Sequence, residues 1–213
     1  MVSNRIKTIA SLVDAKDSIL DIGTDHALLP IFLIKNNIVS IADGSDISNK
    51  VLSNAKENVF KYNLEDKINL YLSDGVKQID ISKYNTLIIT GMGFSTIKSI
   101  IDNADLKHID KLIIQSNNNL DELRKYLNEI SFSIVDETCL KDKDINYDII
   151  VAHKGKQYLS EQEYACGIYK NDNKWYYQEN LENILSIIEK VTDKSKKENS
   201  IKILSYYKEY ISR

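Results

Sequence analysis

Apolar and polar positions alternate with two different periods over the first 155 residues, and the switches between those periods mark out strands and helices. Ile6, Ile9, Ala10 and Val13 recur at helical spacing, which predicts an amphipathic helix over residues 4–13. Ser18–Ile22 reads as a first strand. Leu28–Lys35 is apolar on nearly every side, as a helix buried against a sheet would be, and Asn36-Asn37 ends it. Residues 38–42 read as a second strand closing in the acidic loop Asp43-Gly44-Ser45-Asp46. Ser48 or Asn49 can cap the helix that follows, where Val51, Leu52, Ala55, Val59 and Tyr62 recur at three and four residues. Residues 68–72 form a third strand and residues 86–90 a fourth, whose Leu87-Ile88-Ile89 is of the kind buried in parallel sheets. A helix over 95–101, a strand over 111–115 and a helix over 120–130 continue the alternation. Residues 132–140 and 147–153 then read as two strands joined by the polar loop 141–146, a hairpin. The order implies an α/β fold: a doubly wound, mostly parallel sheet with an antiparallel last strand.

After Gly155 the pattern changes. Leu181, Ile184, Leu185, Ile188 and Val191 make one helical stripe and Leu204, Tyr207 and Ile211 another, with the polar run 192–200 between them. This predicts a C-terminal helical hairpin, and a division into residues 1–155 and 156–213. Such stripes ordinarily mean packing and their charged outer faces ordinarily mean solvent.

Composition narrows the function classes modestly. The chain has 213 residues, enough for one full core and an appendage. No apolar run approaches the roughly 20 residues of a membrane helix, and residues 1–13, with Arg5 and Lys7, lack a secretory pattern. A cytoplasmic protein without a membrane partner is expected. Cys139 and Cys166 stand apart, without metal or redox spacing, and no metal is expected. A net charge of -3 argues against a general nucleic-acid binder. Residues 151–213 nevertheless carry 11 Lys and Arg against 9 Asp and Glu, which leaves room for an RNA-facing tail.

The candidate chemistry gathers at the ends of the strands, where doubly wound sheets bind ligands. Residues 19–30, Ile-Leu-Asp-Ile-Gly-Thr-Asp-His-Ala-Leu-Leu-Pro, run from strand to turn to helix, with Gly23 permitting the bend. Asp21 and Asp25 flank that glycine. A pyrophosphate cradle would exclude such anions, so a cationic or hydroxyl-rich ligand fits better. Asp46, about 20 residues further on, is placed to accept from ribose hydroxyls, and Asp74 from an adenine amine. Gly91-Met92-Gly93 and Gln115-Ser116-Asn117 end the next two strands. Taken singly, each has a plain reading: an acidic turn, a helix cap, a structural histidine at His26. Five polar or glycine-rich ends after five successive strands point instead to one pocket, for an adenosine with a charged extension.

These residues carry a family resemblance. The stretch 21–30, Thr-Ile-Ala-Ser at 8–11, Asp46-Ile47, Asn-Ala-Lys-Glu-Asn at 54–58, Asp74-Gly75, Gly91-Met92-Gly93 and Gln115-x-Asn117 resemble the bacterial tRNA adenine-N1-methyltransferases that act at position 22 of tRNA. Their order and spacing match over residues 4–154. The resemblance implies a Rossmann-like methyltransferase domain, S-adenosylmethionine as cofactor, tRNA as partner, and a coiled-coil-like C-terminal extension that grasps it, with Lys194, Lys196 and Lys197 as phosphate contacts. The implied cofactor residues are Asp21, Gly23, Thr24, Asp46, Ile47, Asp74, Gly75, Gly91 and Met92. Asp25, as proton acceptor, and His26 and Asn117, orienting the base, are the implied catalytic residues, and a monomer is expected. Two departures stand out: Phe94 where a further glycine is usual, expected to narrow the substrate entrance, and Ser116 where proline is usual, expected to loosen the loop presenting Asn117. An inactive RNA-binding protein of this fold and a small-molecule methyltransferase are the alternatives.

Overall fold

Strands that are apolar on both faces have to be covered by helices on both faces, and this requirement shapes the protein. The computed structural model describes residues 2–143, 145–168 and 174–212. In it α1 (Asn4–Ser11) leads into β1 (Ser18–Ile22), α2 (Leu28–Lys35), β2 (Ile41–Asp46), α3 (Asn49–Lys61), β3 (Leu70–Leu72), β4 (Thr86–Met92), α4 (Phe94–Asp102), β5 (Lys111–Ser116), α5 (Leu120–Glu129), β6 (Phe132–Asp142) and β7 (Ile145–Lys154). Among the described residues these strands form one sheet in the order β3-β2-β1-β4-β5-β7-β6. β1 to β5 run parallel, and β7 is antiparallel to β5 and β6. Leu20, Ile22, Leu87, Ile89, Leu112 and Ile114 pack with α4 and α5, whereas Ile19, Ile88 and Ile113 pack with α1, α2 and α3. Each such side chain contributes about 1.5–3 kcal/mol by leaving water. The strand order reverses between β1 and β4, which opens a crevice beyond their carboxyl ends.

Three local expectations are corrected. The second strand is not residues 38–42 but β2, running through Asp43-Gly44-Ser45, because the buried Asp43 carboxylate is satisfied there. Its oxygens accept from the Asn69 N–H at 2.8 Å and the Tyr84 hydroxyl at 2.5 Å, so a polar sequence can enter the sheet at little cost. The last hairpin is tighter than expected, since Lys141 pairs with Asn146 and Asp142 with Ile145. The fourth strand extends to Met92, which places Gly91 inside the sheet.

The C-terminal segment contains α6 (Glu161–Cys166), α7 (Lys174–Lys190) and α8 (Lys194–Ser212). The connection between α7 and α8 is short, because Asp193 Oδ1 accepts from the Lys196 N–H at 2.9 Å and starts a helix within the polar run. Tyr177 stacks on Tyr210 with ring centres 4.9 Å apart and joins Tyr176, Tyr207 and Cys166 in a cluster of its own. Leu181 and Ile184 of the expected stripe pack against this cluster, whereas Leu185 is exposed. The segment is tied to the sheet by Arg124 of α5. Arg124 Nε donates to Glu137 at 2.7 Å and Nη1 to the Tyr164 carbonyl at 2.9 Å, while the Ile168 N–H donates to the same Glu137. Both charged side chains are fully buried.

Candidate active site

The turn after β1 is built by backbone bonds to its neighbour strand. The N–H groups of Gly23 and Thr24 both donate to the Ser45 carbonyl, at 2.8 and 2.9 Å, so the chain leaves β1 pressed against β2. Gly23 has φ +75°, a conformation that favours glycine, and a Cβ there would come within 2.3 Å of Met92 Cε, so that the methionine end would have to swing aside. Asp25 and Ala27 also have positive φ, which costs about 1 kcal/mol or more at each. Asn58 Nδ2 donates to the His26 carbonyl at 3.0 Å and steadies the turn.

On the far side of the crevice the register of β4 and β5 slips between Thr90 and Met92. Gly91, at φ +80°, is the extra residue of a β-bulge of the type that needs glycine. Its two ladder groups are taken over by side chains. Gln115 Oε1 accepts from the Gly91 N–H at 2.9 Å, Asn117 Nδ2 donates to the Gly91 carbonyl at 2.9 Å, and Gln115 Nε2 donates to Asn117 Oδ1 at 3.0 Å. The bulge turns Met92 toward Gly23 and leaves Gly91 exposed. The Ser116 hydroxyl donates to the Asn118 carbonyl at 2.7 Å, a side-chain turn in the loop that presents Asn117. Phe94 packs edge-on against Tyr126 with ring centres 6.1 Å apart, against the core.

A cavity of about 370 Å³ lies beyond the ends of β1, β2 and β4, with Gly23, Asp46, Ile47, Asp74, Gly75 and Met92 in its wall. That volume falls within the range of cofactor sites. Asp46 Oδ1 accepts from the Ser48 N–H at 2.9 Å, and its second oxygen has no donor among the described residues, so it faces the cavity able to accept from a diol. Asp74 bonds Lys77 at 2.5 Å. Ile47 is 70% exposed at the rim, an apolar side chain that a flat aromatic ring would cover. Asp21 and Thr24 lie beneath the turn, both buried, with the Thr24 hydroxyl donating to Asp21 Oδ2 at 2.7 Å. Burial pushes the Asp21 carboxyl up to about 6, against the pull of the Thr24 bond and of the Arg5 charge. Asp25 and His26 are exposed on the turn, 3.5 Å apart, and neither is in the cavity wall. Three acids around a glycine turn, an apolar rim and, among the described residues, no lysine or arginine in the wall suit a cationic adenosine derivative.

A methyltransferase-domain family pattern matches residues 2–150. The chain is 37% identical over 161 residues to a Mycoplasma genitalium protein provisionally named a tRNA methyltransferase, covering 73% of this chain and 72% of that one. It is 29% identical over 156 residues to the Bacillus subtilis tRNA (adenine(22)-N(1))-methyltransferase, covering 72% of this chain and 66% of that protein. The solved structure of M. capricolum TrmK with S-adenosyl-homocysteine superposes with a TM-score of 0.86 at 31% identity, covering 100% of this chain and 98% of that one. The chain belongs to the bacterial S-adenosylmethionine-dependent tRNA (adenine-N1)-methyltransferase family.

The wall described above fits the cofactor of this family. Residues not anticipated from the sequence also line it: Ile22, Ser73, Ser95, Thr96, Ser99 and Ile100. The signal for three of them was present, since Ser95, Thr96 and Ser99 form the polar face of a helix whose other face carries Ile97 and Ile101. Among the described residues no group of three or more His, Cys, Asp or Glu is arranged to hold a metal ion, and no helix is long and apolar enough to cross a membrane.

Two outcomes follow. Gly23→Ala strains the turn at φ +75° and displaces the Met92 side chain in the cavity wall, and calorimetry should show S-adenosylmethionine affinity falling about ten-fold or more; unchanged affinity would contradict a role for this turn in binding. Asp21 has a folded pKa near 6 against an ordinary 3.8, so its ionisation opposes folding above pH 6 by about 3 kcal/mol, and the penalty fades as pH falls toward 3.8. In denaturant titrations of the cofactor-free protein, Asp21→Asn should gain stability relative to the parent at pH 7–8 and lose that advantage near pH 4. An advantage independent of pH would assign Asp21 a different state.

Proposed function

We propose that the chain transfers the methyl group of S-adenosylmethionine to N1 of the adenine at position 22 of tRNA. The observation that carries this reading is the cavity beyond β1, β2 and β4, where the bulge sets Met92 against Gly23 and Asp46 keeps an oxygen for a ribose. The bound cofactor supplies a methyl group on a positively charged sulfur. The residues of the chain do the rest. Asp46 holds the ribose diol, Ile47 and Gly75 border the adenine, Asp74 accepts from its amine, and Asp21 and Thr24 set the turn that meets the methionine end. Gly91 and Met92 form the floor on which the acceptor nitrogen is aligned with the methyl group. Asn117, which grips Gly91, acts as a positioning residue for that floor. N1 lies on the pairing edge, so the adenine has to leave its stack to reach the site. Its lone pair attacks directly, the new nitrogen–carbon bond forming as the sulfur–carbon bond breaks. Asp25, exposed beside His26 outside the cavity wall, is assigned to meet the positive charge that develops on the base as it enters from solvent.

The extension 156–213 is proposed as the tRNA-facing part, α6 anchoring it through Arg124 and Glu137 while Lys194, Lys196 and Lys197, all exposed on α8, meet phosphates. A cytoplasmic monomer completes the reading. Incubation of the protein with methyl-labelled cofactor and total tRNA, followed by mapping of reverse-transcription stops, tests it. A stop in the D-arm is expected. Cofactor binding without label transfer would favour an inactive RNA-binding protein, and label confined to small metabolites would favour a small-molecule methyltransferase.

A further inference from the structure

Two side chains at the catalytic end of the sheet have no part in the cofactor cavity. Arg5 of α1 is half-buried, and its guanidinium lies 5.2 Å from the centre of the Tyr147 ring on β7, where a cation and a ring face attract each other. Its Nη1 stands 4.0 Å from the point at which a side chain on Gly91 would begin. Among the described residues no hydrogen bond or ion pair engages that guanidinium, although an arginine withdrawn from water ordinarily has a carboxylate or carbonyl partner. Its donors are therefore held in place by an aromatic ring and available to a ligand.

The geometry of transfer says which ligand. Sulfur, methyl and acceptor nitrogen have to lie nearly in line, so the acceptor enters across the floor from the side opposite the cofactor. Met92 turns toward Gly23 and the cavity, while Gly91, one residue earlier, opens toward Arg5. The base being methylated becomes cationic, so a guanidinium against its ring would oppose the reaction. The same guanidinium on a phosphodiester matches the fork geometry of the phosphate and neutralises it. We propose that Arg5, held on Tyr147, binds a phosphodiester flanking the acceptor adenosine and thereby sets the base over Gly91. This rests on the reading that tRNA is the substrate.

The test combines variants with altered RNA. Steady-state kinetics on natural tRNA should show KM for tRNA rising about ten- to a hundred-fold in Arg5→Ala, with S-adenosylmethionine affinity within about two-fold of the parent, which also reports an intact fold. Arg5→Lys should recover part of the loss, and Tyr147→Ala should reproduce part of it. tRNAs carrying a single uncharged methylphosphonate on the 5′ or the 3′ side of the acceptor adenosine supply the decisive comparison. On one of them the parent enzyme should fall to the Arg5→Ala level, and Arg5→Ala should lose nothing further. Equal factors of loss for Arg5→Ala on natural and both neutral RNAs would overturn the phosphate contact, as would an unchanged KM for tRNA or a collapse of cofactor affinity. A parent enzyme that methylates no tRNA would overturn the functional reading and this proposal together, whereas normal parental methylation with an unaffected Arg5→Ala would overturn the proposal alone.

Discussion

The bulge at Gly91 is the constraint on which the site depends. A parallel sheet carries its strands straight through to the carboxyl edge, and a straight β4 would set its last side chains by simple alternation. Inserting one residue changes that aim, but it also strips a backbone N–H and a carbonyl of their ladder partners, which must then find others. Gln115 and Asn117 meet that need directly, each bonding one of the two groups and bonding one another. The side chain of Met92 then falls across Gly23, so the turn after β1 and the end of β4 become a single surface. Cofactor on one side of that surface and acceptor on the other is the arrangement that group transfer needs.

Electrostatics follow the same geometry. Asp46 and Asp74 are on the cavity wall and Asp21 is beneath it, while among the described residues no basic side chain lines the cavity. Arg5 stands beside Gly91, its Nη1 4.0 Å from the point where a side chain there would begin. Carboxylates thus gather where a cationic cofactor binds, Asp74 paired with Lys77, and a guanidinium stands near Gly91 where a polyanion would approach. A net charge of -3 is consistent with this division, because the protein needs local rather than overall attraction to RNA.

Much of the architecture was legible in the sequence because burial on both faces of β1, β4 and β5 leaves an unmistakable run of Ile and Leu. The strand that was misplaced, β2, escaped because its apolar pattern is interrupted by Asp43, whose stability inside the sheet depends on Asn69 and Tyr84, distant in the chain. The cavity wall shows the same contrast. Gly23, Asp46, Asp74 and Met92 were readable from strand-end position and family likeness, and the structure brings them together. Asp25 and His26 were read from the same stretch but lie exposed on the turn, outside the cavity wall. Arg5 and Tyr147, 142 positions apart, had no local signal: only the fold brings α1 against β7.

The most direct measurement is nucleoside analysis by mass spectrometry of tRNA treated with the protein and methyl-labelled S-adenosylmethionine, since an adenine offers two nitrogens on its pairing edge. Attack by the ring lone pair predicts label in 1-methyladenosine, one per accepted tRNA and located in the D-arm. Label in N6-methyladenosine, or in a nucleoside other than adenosine, would contradict the alignment of N1 over Gly91 and Met92.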